Sequence, residues 1–161
     1  MNYEAHGAWY YEQIDLGYNY RMTELQASLG CSQMSRLNSF VSARRALAER
    51  YDNDLKGLPL TLPKVFGGES SWHLYVIQLH LDKISKTRAE VFSELRERGL
   101  GVNVHYIPIH LQPYYRGFGF AKGDFANAER YYDAAISIPL FHGMSPTQQA
   151  EVVGALRAVL V

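Results

Sequence analysis

Trp72-His73-Leu74-Tyr75-Val76-Ile77-Gln78-Leu79-His80-Leu81 opens the stretch that decides the fold; Thr87-Arg88-Ala89-Glu90 and Gly101-Val102-Asn103-Val104-His105-Tyr106 follow it. The first segment is rich in strand formers and apolar on both faces, as a buried strand would be. The second is a capping box: the Thr hydroxyl accepts from the N3 amide and the Glu reaches back, so a helix is predicted over 88–98, ended by Gly99. The third alternates Val102, Val104 and Tyr106 against Asn103 and His105, which predicts a strand with one polar face. Strand, helix and strand at this spacing predict an α/β unit: a small sheet with helices packed against it.

Outward from that unit the pattern changes twice. Ile107–Gly123 holds Pro108, Pro113, Gly117, Gly119 and Gly123, which forbid a long regular element. Asp124 then reads as the cap of a helix to about Ala135. A short strand from Ile136 to Phe141 is weakened by Pro139 and is expected at an edge. Ser145-Pro146-Thr147-Gln148 is a strong helix start, and the last helix should bury Val152, Val153, Leu156 and Leu160. Upstream, Leu58–Gly68 reads as a connection. Before it, Leu25, Leu29, Met34, Leu37, Val41, Leu47, Tyr51 and Leu55 form a helical stripe opened by the Thr23-Glu24-Leu25-Gln26 box. A break at Leu37-Asn38-Ser39 should divide it into helices 23–37 and 39–56, with Gly57 past the end. Residues 1–21 carry Trp9, Tyr10, Tyr11, Tyr18 and Tyr20 without a period, which predicts an extended arm and not a packed element.

The chain has 161 residues, enough to bury a core without disulfide or metal. Sixteen basic and sixteen acidic residues cancel, so no global field draws in nucleic acid or an anionic membrane. No apolar run can span a bilayer. Met1-Asn2-Tyr3-Glu4 lacks the n- and h-regions of a signal peptide, and the single Cys31 fits a reducing compartment. The expected location is cytoplasmic, with no membrane and no nucleic-acid partner.

Two loops can hold a ligand. Gly17-Tyr18-Asn19-Tyr20-Arg21 joins an amide, two phenols and a guanidinium just before a helix start, a set suited to a phosphorylated ligand. The same set also describes a helix-entry loop with packed aromatics. Val104-His105-Tyr106-Ile107-Pro108-Ile109-His110, followed by Pro113-Tyr114-Tyr115-Arg116, is a strand exit into a rigid loop. His105 serves a polar ligand there, or is a strand residue with a satisfied hydrogen bond. A metal is not expected, because no third ligand lies nearby in sequence. His73 is a third candidate, projecting from strand core. There is no G-x-G-x-x-G, Walker loop or G-x-S-x-G elbow. Cys31 has no adjacent base, and Lys56, Lys64, Lys83, Lys86 and Lys122 sit in polar turns or at element ends, unlike a Schiff-base Lys.

Trp9-Tyr10-Tyr11-Glu12, Gly17 through Ala27, Trp72-His73-Leu74-Tyr75 and Val104-His105-Tyr106-Ile107-Pro108 together resemble the C-terminal part of the DegT-type sugar aminotransferases. The likeness runs over essentially the whole chain and looks closest to the pseudaminic-acid branch. It implies the small C-terminal domain of the aspartate-aminotransferase fold (fold type I, pyridoxal phosphate): an arm at 1–22, linking helices at 23–57 and the small α/β domain at 58–161. The family's large domain, with its cofactor Lys, comes before such a segment, so the resemblance implies an excised portion or a truncated product. It implies no catalytic residue in this chain, no pyridoxal phosphate held by the chain alone, and a homodimer for the complete enzyme. Asn19 and Arg21 would meet the cofactor, and Asn19, Asn103, Val104, His105, Tyr106 and Pro108 the substrate. The implied reaction aminates a UDP-linked 4-keto-6-deoxy-HexNAc with glutamate as donor. The other class of reading is a non-catalytic binding or dimerisation module, for which the aromatic arm would be the contact patch.

Overall fold

The computed structural model describes residues 3–18 and 20–161. α1 spans Glu24–Met34 and α2 Leu37–Asp54; then come β1 Leu60–Thr61, β2 Tyr75–Leu79 and α3 Arg88–Glu97. A 3-10 turn at Ile109–Leu111, α4 Pro113–Arg116, α5 Ala126–Ala134, β3 Ala135–Ile138 and α6 Pro146–Leu160 complete the order. The three capping boxes form as read, at Thr23 with Gln26, Thr87 with Glu90 and Ser145 with Gln148. Gly99, at φ +82°, adopts the left-handed conformation that ends α3.

Among the described residues the strands form one antiparallel sheet in the order β1-β2-β3, with Leu60 opposite Leu79 and Ile77 opposite Ile136. β2 therefore lies in the middle. α3 packs on β3 and α6, α6 also meets α2, and α5 lies against β2. The core gathers Val91, Phe92 and Leu95 of α3, Tyr75 and Ile77 of β2, and Val152, Val153, Leu156 and Leu160 of α6, the four residues expected there. Tyr51 and Tyr75 are buried side by side; Tyr75 donates to Asp52 Oδ1 at 2.5 Å and Tyr51 to the Pro139 carbonyl at 2.8 Å. Burial pushes both phenols well above the usual range.

Several expectations need correction. The helical stripe breaks earlier, at Ser35 and Arg36, and its first half covers nothing: α1 has no buried residue, and Leu25 is 85% exposed. The connection after Gly57 contains β1, because buried Leu60 finds a partner in Leu79. β2 is shorter than Trp72–Leu81, and its burial alternates, with Val76 and Gln78 only half-buried. Residues 101–106 are not a strand but a single bridge between Asn103 and Ser137. The reason is local: the Asn103 side chain takes the Val104 amide at 2.8 Å and so competes with a ladder. β3 begins one residue sooner and stops before Pro139, whose missing N–H cannot extend it. All four of its residues are buried. Asp124 does not cap α5; its carboxylate accepts from the Ala121 amide.

Among the described residues of 3–21 no helix or strand forms, and the segment is not free of the core, because it packs at Trp9 while Ile14, Leu16, Tyr18 and Tyr20 stay exposed. Trp9 is buried, meets Phe92 edge-on at 4.7 Å and donates to the Tyr132 hydroxyl at 3.1 Å. The buried Arg88 guanidinium stacks on Trp9 and Tyr132, 4.4 Å from each ring, and donates to the Tyr132 carbonyl. Burial holds the Arg88 pKa below its ordinary value, and the bond to Tyr132 partly restores it. Trp9→Ala is expected to lower unfolding free energy by about 3–5 kcal/mol in a denaturant titration, the usual cost of emptying an aromatic core site. A change under about 1 kcal/mol would mean the arm contributes contacts without anchoring.

Candidate functional site

The two candidate loops differ in how firmly they are held. In the first, Tyr18 and Tyr20 are exposed and meet edge-on at 6.1 Å, and Arg21 is exposed. Asn19 lies outside the described residues. The helix start beyond Arg21 is already capped: the Gln26 amide donates to Thr23 Oγ1 and the Thr23 amide to Gln26 Oε1.

In the second loop the sheet fixes the geometry. Ser137 and Asn103 exchange both backbone hydrogen bonds, at 2.7 and 3.1 Å. The Ser137 hydroxyl lies 2.8 Å from His105 Nδ1, so the imidazole is half-buried with a partner. Burial lowers the His105 pKa, and the charge of nearby His73 lowers it further. Tyr106 is 60% exposed and meets the His105 ring edge-on at 4.6 Å. Val104 and Pro108 are buried and Asn103 is exposed. Of the five described residues expected to meet substrate, then, Asn103 and Tyr106 are exposed and His105 is half-buried. His73 is exposed, and Arg44 Nη1 holds its segment by donating to the carbonyls of Trp72, His73 and Leu140.

Beside Tyr106 opens a hollow of about 600 Å³, lined by Pro108, His110, Tyr115, Phe120 and Phe125 among others. His110 is buried, with Nε2 2.8 Å from Glu129 Oε1. The bond to His110, with the Gly123 amide, holds the Glu129 carboxyl below the usual carboxylate range. Sequence reading missed Glu129. The available signal was a carboxylate three residues before buried Tyr132, on the inward face of α5. It also missed the clip between arm and loop: the Gln13 amide donates to Gln112 Oε1 at 2.7 Å, and the Tyr114 amide to the Gln13 carbonyl at 2.9 Å. Burial raises the Tyr11 pKa, and the Tyr106 and Tyr132 phenols raise it further. No hydrogen bond or ring contact joins Tyr18, Tyr20 or Arg21 to residues 103–110 among the described residues.

The residues present fit one end of a pyridoxal phosphate only. Arg21 is an exposed guanidinium suited to its phosphate. No lysine suits its aldehyde: Lys86 is paired with Glu94 at 2.7 Å and the Val159 carbonyl at 3.0 Å, Lys56 meets Asn53, and Lys64, Lys83 and Lys122 are exposed. Among the described residues no group of three or more His, Cys, Asp or Glu can hold a metal ion, and no helix is long and apolar enough to cross a membrane.

His105 and Glu129 both give a sign for acid. Each has a folded pKa below its ordinary value, 6.5 and 4.5 respectively, so each contributes stability that is complete above that value and lost as pH falls through the folded pKa. Stability should therefore fall in two steps on acidification, the first beginning below pH 6.5 and the second below pH 4.5. In an NMR titration the His105 midpoint should lie under 6.5 and rise in His73→Ala. A His105 midpoint above 6.5 would show that the imidazolium, not the neutral ring, is the favoured state.

The spore coat polysaccharide biosynthesis protein SpsC of Bacillus subtilis is 39% identical over 162 residues, which cover 98% of this chain and 42% of SpsC. Among solved structures, the putative sugar aminotransferase Spr1654 of Streptococcus pneumoniae in its apo form matches with a TM-score of 0.78 at 27% identity, over 97% of this chain and 39% of that one. Its PMP and PLP forms match with the same score. PseC of Helicobacter pylori, an aminotransferase involved in the biosynthesis of pseudoaminic acid, matches with a TM-score of 0.77 at 28% identity, over 91% of this chain and 39% of PseC. The chain thus spans about two fifths of the length of these relatives. Its architecture is that of the fold type I pyridoxal-phosphate aminotransferases. The DegT/DnrJ/EryC1/StrS aminotransferase family matches residues 2–157, and the chain belongs to it.

Proposed function

We propose that this chain is the substrate-orienting part of a pyridoxal-phosphate-dependent aminotransferase that aminates a nucleotide-linked keto sugar. The observation that carries the reading is the 103–108 turn. Its His105 is fixed by Ser137, its Tyr106 stands exposed at the rim of an apolar hollow, and the arm is clipped beside it through Gln13. Fixed polar side chains on a rigid support, next to an apolar hollow, are what a ligand of mixed polarity needs. Pyridoxal phosphate, when bound, supplies the electron sink for amino transfer. This chain would orient the sugar through Asn103, His105 and Tyr106, and offer Arg21, with Asn19, to the phosphate. The substrate would be a UDP-linked 4-keto-6-deoxy-HexNAc and the donor glutamate. The reaction would then be that of a UDP-4-amino-4,6-dideoxy-N-acetyl-altrosamine transaminase. The names of PseC and SpsC favour the sugar half of this reading.

In the complete enzyme residues 1–22 would serve as an interface arm, 23–57 as linking helices and 58–161 as the small domain. A homodimer would cover the apolar residues that α1 exposes, Leu25, Leu29 and Met34. The same exposed face favours the other reading, a non-catalytic binding or dimerisation module.

NMR of the 161-residue chain separates the two. UDP is expected to bind weakly and shift Tyr106 and His105, with Tyr106→Ala weakening it about tenfold. With glutamate, pyridoxal phosphate and keto sugar, the chain alone should show no turnover. Turnover would overturn the orienting role, and tight self-association without any UDP shift would favour the module.

A further inference from the structure

One oxygen of Glu129 ties together two segments that line the hollow beside Tyr106. Oε1 is 2.8 Å from His110 Nε2 and accepts from the Gly123 amide, also at 2.8 Å. His110 belongs to the 3-10 turn that follows Tyr106 and Pro108, and it lines the hollow. Gly123 belongs to the loop that carries Phe120 and Phe125, which also line it. That loop is held by ring contacts, Phe120 with Phe125 at 6.1 Å and Phe125 with His110 at 4.8 Å, and by few backbone ties. Gly119 and Gly123 have φ of +95° and +104°, and glycine at such angles is the freest residue in the unfolded chain. Its near end is tied back to α4 through Gly117, Phe118 and Gly119, and the Ala121–Asp124 bonds are internal. For residues 120–124, the Gly123–Glu129 bond is the only hydrogen bond that leaves the loop among the described residues. The carboxylate is buried, and both of its donors are directional.

We infer that Glu129 is the positioning residue of this site. Together with the His110–Phe125 ring contact at 4.8 Å, it sets the placement of the His110 turn against the Phe120–Phe125 segment, and through them the stance of Tyr106 at the rim. Glu129 itself stays under the turn and does not line the hollow. The inference rests on reading that rim as the substrate side, as proposed above.

The test uses the 161-residue chain with Glu129→Ala, Glu129→Gln and UDP as probe. The amide of Gln can accept both hydrogen bonds, so Glu129→Gln should behave as wild type. Glu129→Ala should shift the Tyr106 ring signals and the amides of 118–124, leave the amides of Ile77 and Ile136 in place, and weaken UDP binding about tenfold. The unmodified chain supplies a reading that needs no variant: the His110 Nε2 proton and the Gly123 amide should exchange slowly with solvent. Fast exchange of both, unmoved Tyr106 signals in Glu129→Ala, or core amides moving as far as the loop would each overturn the inference. Absence of UDP binding to wild type would instead overturn the nucleotide-sugar reading, and the Tyr106 and loop signals would still decide the role of Glu129.

Discussion

Ser137 binds one neighbouring segment twice, and the placement of the candidate site follows from it. Its backbone exchanges two hydrogen bonds with Asn103, and its hydroxyl meets His105 two residues further on. Each such bond nets only about 1 kcal/mol. What makes them decisive is where Ser137 stands: in β3, every residue of which is buried, beside the central β2. The imidazole of His105 is therefore referenced to the sheet and not to its own irregular segment. Pro108 then restricts the chain just beyond, and Tyr106 is the residue between two fixed points whose side chain reaches solvent.

The arm obeys the same economy of attachment. Among its described residues no helix or strand holds it, yet it is fastened at two places. Trp9 enters the core between Phe92 and the Arg88–Tyr132 stack, and Gln13 clips onto Gln112 and Tyr114. A buried guanidinium is costly unless its donors and its flat faces are both satisfied. Arg88 meets that condition with two aromatic rings and a carbonyl, one of those rings being supplied by the arm. Removing the arm would uncover the core of α3 along with a face of Arg88, so the arm is structural at Trp9 before it is anything else.

The parts of the fold legible in the sequence are those with local causes. Thr87 with Glu90 and Ser145 with Gln148 mark helix starts because both partners lie within one turn. Gly99 marks an end because few other residues take its backbone angle. The failures share a different cause. The alternation at 102–106 is real, since Val102 and Val104 are buried, but the pattern cannot show that the Asn103 side chain will capture the next amide and end the ladder. The arm looked unpacked because a single buried Trp9 has no period to detect. At the site, His105 and Tyr106 stood out as polar groups at a strand exit. Their supports, Ser137 and Glu129, did not, because each lies in a separate element whose own pattern is explained by burial.

α1 puts the remaining constraint on any functional account. Its capping box is complete and its sequence is compatible with a helix, so it forms for local reasons. An isolated helix of this length is nonetheless marginal in water, and most helical stability in proteins comes from packing an apolar face. α1 packs none: Leu25, Leu29 and Met34 are exposed, and the adjoining Tyr18 and Tyr20 are more exposed than most aromatics of the chain. The second half of the same stripe, in α2, does reach the core through Tyr51. A stripe that begins on solvent and ends in a core is continuous in sequence but is served by two surfaces. One is present in the 58–161 unit. The proposed dimer would supply the other, and in that reading the arm, α1 and Arg21 would share one interface.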